Sequence, residues 1–277
     1  MENSFTVAIC QMLVVDDKAK NLEKAEDMIL KAVKDKGAKL VVLPEMFNCP
    51  YDNELFRQYA EELPGETTKM LSRLAKELNV FIVGGSIPEK SGGKIYNTSF
   101  VFNDKGENVG RHRKIHLFDI DIKDKITFKE SDMLGYGEDI TIIDTPFCPI
   151  GVAICYDIRF PELMRLMALS GAKVFIIPAA FNMTTGPAHW HQLLKVRALD
   201  NQVYVVAAAP ARNNNAAYIA YGYSSIVNPW GKAIAEANEK EDIICGEIDL
   251  NYLERVREEL PLLKHRRTDL YNLEFRR

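Results

Sequence analysis

Short apolar runs rich in β-branched residues alternate along this chain with stretches whose apolar residues recur every three or four positions, and that alternation is the strongest constraint on how it can fold. The runs fall at residues 5–10, 40–43, 80–84, 99–102, 150–154, 174–177, 203–208 and 243–248. Several contain no charged residue, which suits strands buried on both faces. Between them, Leu22, Ala25, Ile29 and Val33 share one face of a helix that ends near Gly37. Met70, Leu71, Leu74 and Leu78 do the same before the run at residue 80, and residues 161–169 and 190–199 read as two further helices. Residues 94–113 read instead as a hairpin turning at Asn103-Asp104-Lys105-Gly106. No linker, repeat or low-complexity tract divides the chain. Residues 1–277 are therefore expected to form one α/β domain in which helices cover a mixed sheet system. A chain of this length buries roughly three quarters of its unfolded surface and needs no disulfide or metal staple. Residues 261–277 are charged and weakly periodic, so they either trail in solvent or pack on a partner subunit.

Charge and composition exclude several classes. Thirty-nine acidic against 35 basic side chains give a formal charge of -4. The dense basic runs are short, Arg111-His112-Arg113-Lys114 and His265-Arg266-Arg267, so no nucleic-acid partner is expected. No apolar stretch reaches the roughly 18 residues of a membrane-spanning helix. The five cysteines, at 10, 49, 148, 155 and 245, form no CxxC pair. Residues 1–10 lack the pattern of a secretory signal. These features place the chain in the reducing cytoplasm, with a mitochondrial location left open. The sequons at Asn97 and Asn182 then read as coincidences. Neither GxxxxGK[ST] nor GxGxxG is present, and GxSxG is absent too. His112 with His116 and His189 with His191 have ligand-like spacing, but no HExxH supports a metal, and none is expected.

The chemistry is sought in polar residues that directly follow apolar runs, because α/β folds bind ligands at the carboxyl ends of strands. Leu40-Val41-Val42-Leu43-Pro44 leads to Glu45, the hairpin's second strand ends near Lys114, and Gly151-Val152-Ala153-Ile154 leads to Cys155. A thiol at a strand-to-helix turn lies near free N–H groups and a positive dipole end, which lowers thiol pKa. Taken singly, each has a bland reading: core cysteine, helix-capping carboxylate, solvated lysine. Together they are a nucleophile, a general base and a cationic stabiliser.

Leu43-Pro44-Glu45, Arg113-Lys114-Ile115-His116-Leu117 and Ile154-Cys155-Tyr156-Asp157-Ile158-Arg159-Phe160-Pro161-Glu162 resemble the three signature blocks of the nitrilase, or carbon–nitrogen hydrolase, superfamily, in the family order of Glu, Lys, Cys. The resemblance runs from Phe5-Thr6-Val7-Ala8 to Asn228-Pro229-Trp230-Gly231. It implies a four-layer α-β-β-α sandwich, no metal or organic cofactor, and homo-oligomers built on a dimer stacked through helices. It also implies a second glutamate beside the triad, a position that Glu130 matches, orienting Lys114 or the substrate. In the implied reaction Glu45 takes the Cys155 proton and the thiolate attacks an amide carbonyl. Lys114 and the Tyr156 N–H hold the oxyanion.

Three further segments are similar to the ω-amidase branch, which deaminates the ketoacid amides 2-oxoglutaramate and 2-oxosuccinamate. They are Gly84-Gly85-Ser86-Ile87-Pro88-Glu89, His116-Leu117-Phe118-Asp119-Ile120-Asp121 and the run from Ala180 to Trp190. A short dicarboxylate monoamide needs a cation for its distal carboxylate, and Arg159, four residues after Cys155, can supply a bidentate contact. Its bland reading is a salt bridge to Asp157 or Glu162. Phe181, Thr184, Thr185 and Tyr51 are the remaining pocket candidates. A deaminated-glutathione amidase is the nearest alternative, sharing Gly186-Pro187-Ala188-His189-Trp190. A non-catalytic interaction protein on a hydrolase scaffold is the alternative of another class.

Overall fold

The computed structural model describes residues 3–276; Met1, Glu2 and Arg277, at the ends of the expected domain, lie outside the described residues. In chain order, β1 (Ser4–Gln11), β2 (Leu40–Val42), β3 (Phe81–Val83), β4 (Ile87–Ser91), β5 (Lys94–Phe102) and β6 (Asn108–Arg113) build a first sheet. Next, β7 (Asp119–Ile122) and β8 (Ile126–Lys129) form a separate hairpin. A second sheet holds β9 (Thr141–Ile143), β10 (Ile150–Val152), β11 (Val174–Pro178), β12 (Tyr204–Ala208), β13 (Ser225–Val227) and β14 (Ala233–Glu236). Finally β15 (Asp242–Asp249) returns to pair antiparallel with β1 over its whole length.

Each sheet has the same plan. Three parallel strands sit at its centre, β1-β2-β3 in one and β10-β11-β12 in the other, with antiparallel strands outside them. The central strands β2, β3, β11 and β12 are buried at every position, which is why their sequences are unbroken apolar runs. Edge strand β14 alternates half-buried and exposed residues instead.

Among the described residues, six α-helices complete the fold: α1 (Lys18–Lys34), α2 (Asn53–Tyr59), α3 (Glu66–Leu78), α4 (Pro161–Leu169), α5 (Gly186–Asn201) and α6 (Leu250–Glu259). Asp17 caps α1 by accepting from the Lys20 N–H at 3.2 Å, and Lys31 and Lys34 sit in its last turn, where they favour the carbonyl end. The apolar faces of α1 and α3 (Leu22, Ala25, Ile29; Leu71, Leu74) close over the outer side of the first sheet with Val41, Leu43 and Ile82. On the second sheet, Met164 and Met167 of α4 and Trp190 and Leu194 of α5 pack with Phe175, Ile177 and Val205. Between the sheets, Val7, Ile9, Val42 and Val83 meet Ile150, Val152, Ile176 and Val206 in a continuous seam. The layers are therefore helix, sheet, sheet, helix, the four-layer sandwich expected from the sequence.

The structure differs from the sequence expectation mainly in short elements. Strand pairing at residues 150–154 stops at Val152, which leaves Ala153 and Ile154 as a buried link to Cys155. The hairpin β7–β8, the edge strands β4, β9 and β14, strand β13 inside the second sheet, and helices α2 and α6 are additional. They are too short or too polar to show a periodicity of their own. Residues 261–276 contain no helix or strand and expose Leu262, Leu270, Tyr271 and Phe275. No helix among the described residues is long and apolar enough to cross a membrane.

Truncating the seam should be costly: Ile176→Ala is expected to lower unfolding free energy by about 2–5 kcal/mol through the cavity it leaves. Val109→Ala, on the exposed side of β6, should cost no more than about 0.5 kcal/mol. Chemical denaturation of the two variants checks this, and equal losses would contradict the placement of the core.

Candidate active site

Catalytic candidates from both sheets meet where their strands end. Beyond β2, Leu43-Pro44-Glu45 turns sharply, and Met46 adopts a left-handed φ of 51°. The turn is held from β3–β4: Gly85 lies so close that a Cβ there would collide with the Pro44 carbonyl oxygen. Ser86 then accepts from the Met46 N–H at 3.1 Å and donates its own N–H to Pro44 O at 3.2 Å. The Gly84–Glu89 segment therefore shapes the base's turn; Glu89 pairs with Arg111 and Arg113.

Lys114 follows β6 and is fully buried. Its Nζ donates to Glu45 Oε1 at 2.9 Å and to Glu130 at 3.0 Å (Oε1) and 2.8 Å (Oε2), with Tyr51 Oη at 3.3 Å. Glu130 opens a 3-10 turn after β8, and its carboxylate also accepts from Tyr51 Oη at 2.6 Å and the Phe118 N–H at 2.6 Å. Burial would discharge Lys114, but the Glu130 and Glu45 carboxylates outweigh it and hold the ammonium charged. The Glu45 carboxyl is pushed above the usual carboxylate range by burial and by Glu130, against the pull of Lys114. A carboxylate raised in this way is a stronger base.

Glu45 Oε1 is saturated, since Asn97 Nδ2 also donates to it at 2.8 Å, whereas Oε2 has no full hydrogen bond. The Cys155 thiol lies close enough to this carboxylate for the two to shift each other's ionisation. Cys155 is 5% exposed, with a φ of 46°, a left-handed conformation that a non-glycine residue rarely holds. It begins a five-residue 3-10 turn, Cys155–Arg159, and α4 starts only at Pro161. Here the structure corrects the sequence expectation of a lowered thiol pKa. Burial and the neighbouring Glu45 charge raise it well above the ordinary value, while Lys114 and the Ala180 N–H oppose them without prevailing. Cys155 therefore rests as a neutral thiol with its base beside it. Tyr156 N–H, directly after the nucleophile, lies among the opening amides of the turn, which have no partner within it.

Arg159 leaves the same turn and forms no carboxylate pair among the described residues, in contrast to the alternative of a salt bridge to Asp157 or Glu162. Its Nη1 lies 3.0 Å from His189 Nδ1, its guanidinium carbon sits 4.7 Å from the Phe181 ring centre and 5.6 Å from that of Tyr156, and its buried Nε has no partner. Phe181 in turn packs 4.9 Å from Trp190. Thr184 and Thr185 occupy a different niche. Both N–H groups and the Thr185 hydroxyl bond to Asn182 Oδ1, so these donors organise the entry to α5 and are not free in the pocket. Tyr51 stacks on Tyr218 at 4.6 Å, with Phe128 5.6 Å away. A cavity of about 460 Å³ reaches the centre on this side, lined by Glu45, Tyr51, Ala180 and Tyr218.

Sequence reasoning brought out Glu45, Lys114, Glu130, Cys155, Tyr51, Arg159 and Phe181, and the structure gathers these around one centre. It did not bring out Asn97, Phe118, Phe128, Ala180 or Tyr218. Asn97 stood out only as a sequon, and Asn182 as a sequon and a member of the 180–190 run; both are buried, and each serves the site through its side chain. His112 and His116 converge on a carboxylate, Asp157, and no cluster of metal-ligating side chains occurs among the described residues.

The site therefore brings together a buried thiol, a raised carboxylate and a fixed ammonium, the kinds of group that a thiol hydrolase requires. Comparison with known proteins agrees. Residues 6–258 match the carbon-nitrogen hydrolase family, and the chain belongs to it, within the nitrilase superfamily. The chain is thus a hydrolase acting on carbon–nitrogen bonds. It is 50% identical over 273 residues to omega-amidase NIT2-A of Xenopus laevis, covering 99% of each chain. Against human omega-amidase NIT2 the identity is 47% over 274 residues, again covering 99% of each. Among solved structures, Nit3 of Saccharomyces cerevisiae, a member of branch 10 of the nitrilase superfamily, superposes with a TM-score of 0.88 at 45% identity, covering 95% of this chain and 97% of that one.

Because its pKa is raised, Cys155 should react slowly with iodoacetamide at pH 7.5, the rate climbing as pH passes the ordinary thiol value of about 8.5. Glu45→Gln removes a negative charge that opposes ionisation, so it should move the labelling profile to lower pH while abolishing amide turnover. Mass-spectrometric labelling rates across pH, beside ammonia release, check both; an unshifted profile contradicts the coupling.

Proposed function

We propose that this protein is an ω-amidase that hydrolyses 2-oxoglutaramate and 2-oxosuccinamate to the 2-oxo dicarboxylate and ammonia. The observation that carries the reading is Arg159. A half-buried guanidinium without a carboxylate partner, beside the nucleophile and with an unpaired Nε, is a receptor for the distal carboxylate of a short acyl chain. The relatives named omega-amidase, matched over nearly the whole chain, support the same substrate class.

The reaction follows from the geometry. Glu45 Oε2 takes the Cys155 proton as sulfur attacks the amide carbon, so no free thiolate is required in the buried resting site. The carbonyl oxygen gains negative charge beside Lys114 and the Tyr156 N–H; a single donor of this kind is worth on the order of 3 kcal/mol. Glu45 returns the proton to the amide nitrogen, the C–N bond breaks, ammonia leaves, and a thioester remains. Water deprotonated by Glu45 attacks the thioester, releasing the acid and restoring the thiol. Glu130 and Tyr51 keep Lys114 aimed at this centre throughout. The residues need no metal or organic cofactor for these steps.

A homodimer or larger homo-oligomer belongs to the proposal. Helix α5 buries Trp190 and Leu194 on one side yet exposes Val196 and Leu199 on another, and Trp230 and the apolar residues of the 261–276 segment are also exposed. Apolar side chains of this kind fit a helix-to-helix contact with a second copy. The free thiols fit a reducing compartment, and the cytoplasm is the proposed location.

Ammonia release should be fastest with the two ketoacid amides in a panel that adds deaminated glutathione, glutamine, asparagine and succinamate; preference for deaminated glutathione, read as 2-oxoglutarate release, would replace the ω-amidase reading. Arg159→Gln should reduce kcat/KM for 2-oxoglutaramate by about 100-fold, the equivalent of one charge-assisted hydrogen-bond pair of roughly 3 kcal/mol. The same change should leave a neutral amide such as butyramide almost unaffected, and equal losses on both would remove the carboxylate role.

A further inference from the structure

Two residues beyond Cys155, Asp157 is fully buried, and every group it pairs with is a neighbour of the catalytic residues. Its Oδ1 accepts from the His116 N–H at 2.9 Å and from His116 Nδ1 at 2.8 Å. Its Oδ2 accepts from the Ile154 N–H at 3.0 Å and from His112 Nε2 at 3.1 Å. A carboxylate has only acceptors to offer, so the histidine protons on these contacts sit at His116 Nδ1 and His112 Nε2. His112 and His116 stand on either side of Lys114, and Ile154 and Asp157 on either side of Cys155. One carboxylate thus ties the segment that carries the amine to the turn that carries the thiol.

We propose that Asp157 is a positioning residue that sets the placement of Lys114 relative to Cys155. The inference rests on the reading of these two as stabilising cation and nucleophile. Cys155 holds a left-handed backbone, and such a conformation persists only where its surroundings over-determine it. Asp157 closes the chain around it, accepting from Ile154 N–H through its side chain and donating its own N–H to Ile154 O at 3.0 Å. On the other side the Lys114 backbone is tied to the first sheet by its N–H to Asn97 O at 2.9 Å, and the Gly137 N–H donates to Lys114 O at 2.8 Å. Asp157 is the group that joins these two sets of anchors. His116 is braced further by stacking on Phe160 at 3.6 Å, and His112 by Thr141 Oγ1 at 3.0 Å from its Nδ1. Despite burial, the four donors keep the Asp157 carboxyl well below the usual carboxylate range, so it accepts at all of them across the working pH. An asparagine is isosteric but turns one edge into a donor, which must face a donor from a histidine or from Ile154.

The test is Asp157→Asn, with kcat on 2-oxoglutaramate expressed per active site, counted by mass spectrometry as Cys155 labelled to completion by iodoacetamide at raised pH, beside KM and the melting temperature. The expectation is a kcat loss per titrated site of at least tenfold and up to about 100-fold, the penalty of an ångström-scale misplacement, with KM changed less than about threefold because Arg159 and Phe181 lie outside the clasp. A kcat per titrated site within twofold of the parent, with the damage confined to yield or melting temperature, would overturn the proposal. Should that variant fail to fold, His116→Gln, which opens half of the clasp, is measured in the same way. It should lower kcat per site with KM held, and an unchanged kcat would overturn the proposal equally. Cys155→Ala separates the two readings: activity retained there removes the nucleophile itself, whereas activity lost there but kept in Asp157→Asn removes only the clasp.

Discussion

A lysine ammonium sealed from water organises this molecule. Lys114 is fully buried, and a charge so placed is tolerated only when opposite charge and hydrogen bonds replace its hydration. Glu45 and Glu130 supply the charge, while Tyr51 and Asn97 satisfy the carboxylates in turn. That arrangement also settles the state of the nucleophile. Burial together with the neighbouring Glu45 keeps Cys155 protonated. Passing the thiol proton to Glu45 is a different matter, because it moves a negative charge within the cluster without adding one. Burial therefore opposes loss of the proton to solvent far more than its transfer across the site, and the low dielectric makes Lys114 more effective toward a new oxyanion.

The four-layer architecture is what makes such a cluster possible. Glu45 comes from the end of a central strand in one sheet, Lys114 follows an outer strand of that sheet, and Cys155 comes from the end of a central strand in the other. The apolar seam presses the two sheets together, so the ends of β2 and β10 meet at fixed separation. Short backbone devices finish the placement: left-handed turns at Met46 and Cys155, the close approach of Gly85 to Pro44, and the Asp157 contacts that bind one strand end to the other. The polar groups at the centre are costly to bury, and the surrounding helices and strands carry that cost with uninterrupted apolar packing.

Under the proposed ω-amidase reading, the specificity elements occupy two sides of the thiol. Arg159 and Phe181 stand together on the 3-10 turn and the loop after β11, whereas the aromatic wall of Tyr51, Phe128 and Tyr218 borders the cavity next to Glu45. This division suits an acyl chain anchored by its far carboxylate with the reacting amide turned toward the base. Thr184 and Thr185 serve it indirectly, by holding the start of α5 beneath Trp190.

Much of this was legible in the chain itself. Unbroken apolar runs such as 174–177 and 203–208 reveal doubly covered strands because a strand buried on both faces has no position for charge, and the faces of α1 and α3 show through their 3.6-residue period. The three blocks around Glu45, Lys114 and Cys155 mark the chemistry because each polar residue interrupts an apolar context at a strand end. The sequence could not reveal that Asn97 lies under Glu45, that Tyr218 stacks on Tyr51, or that His112 and His116 share one carboxylate. Those contacts join residues tens to more than a hundred positions apart, and no local period records them. Nor could it decide the ionisation of Cys155. Position at a turn suggested a lowered pKa, but ionisation depends on burial and on charges brought from other elements. Local pattern determined the elements and marked the candidate reacting groups; only the packed structure determined their distances and charge states, because electrostatic energies in a dry interior depend on where every neighbouring charge comes to rest.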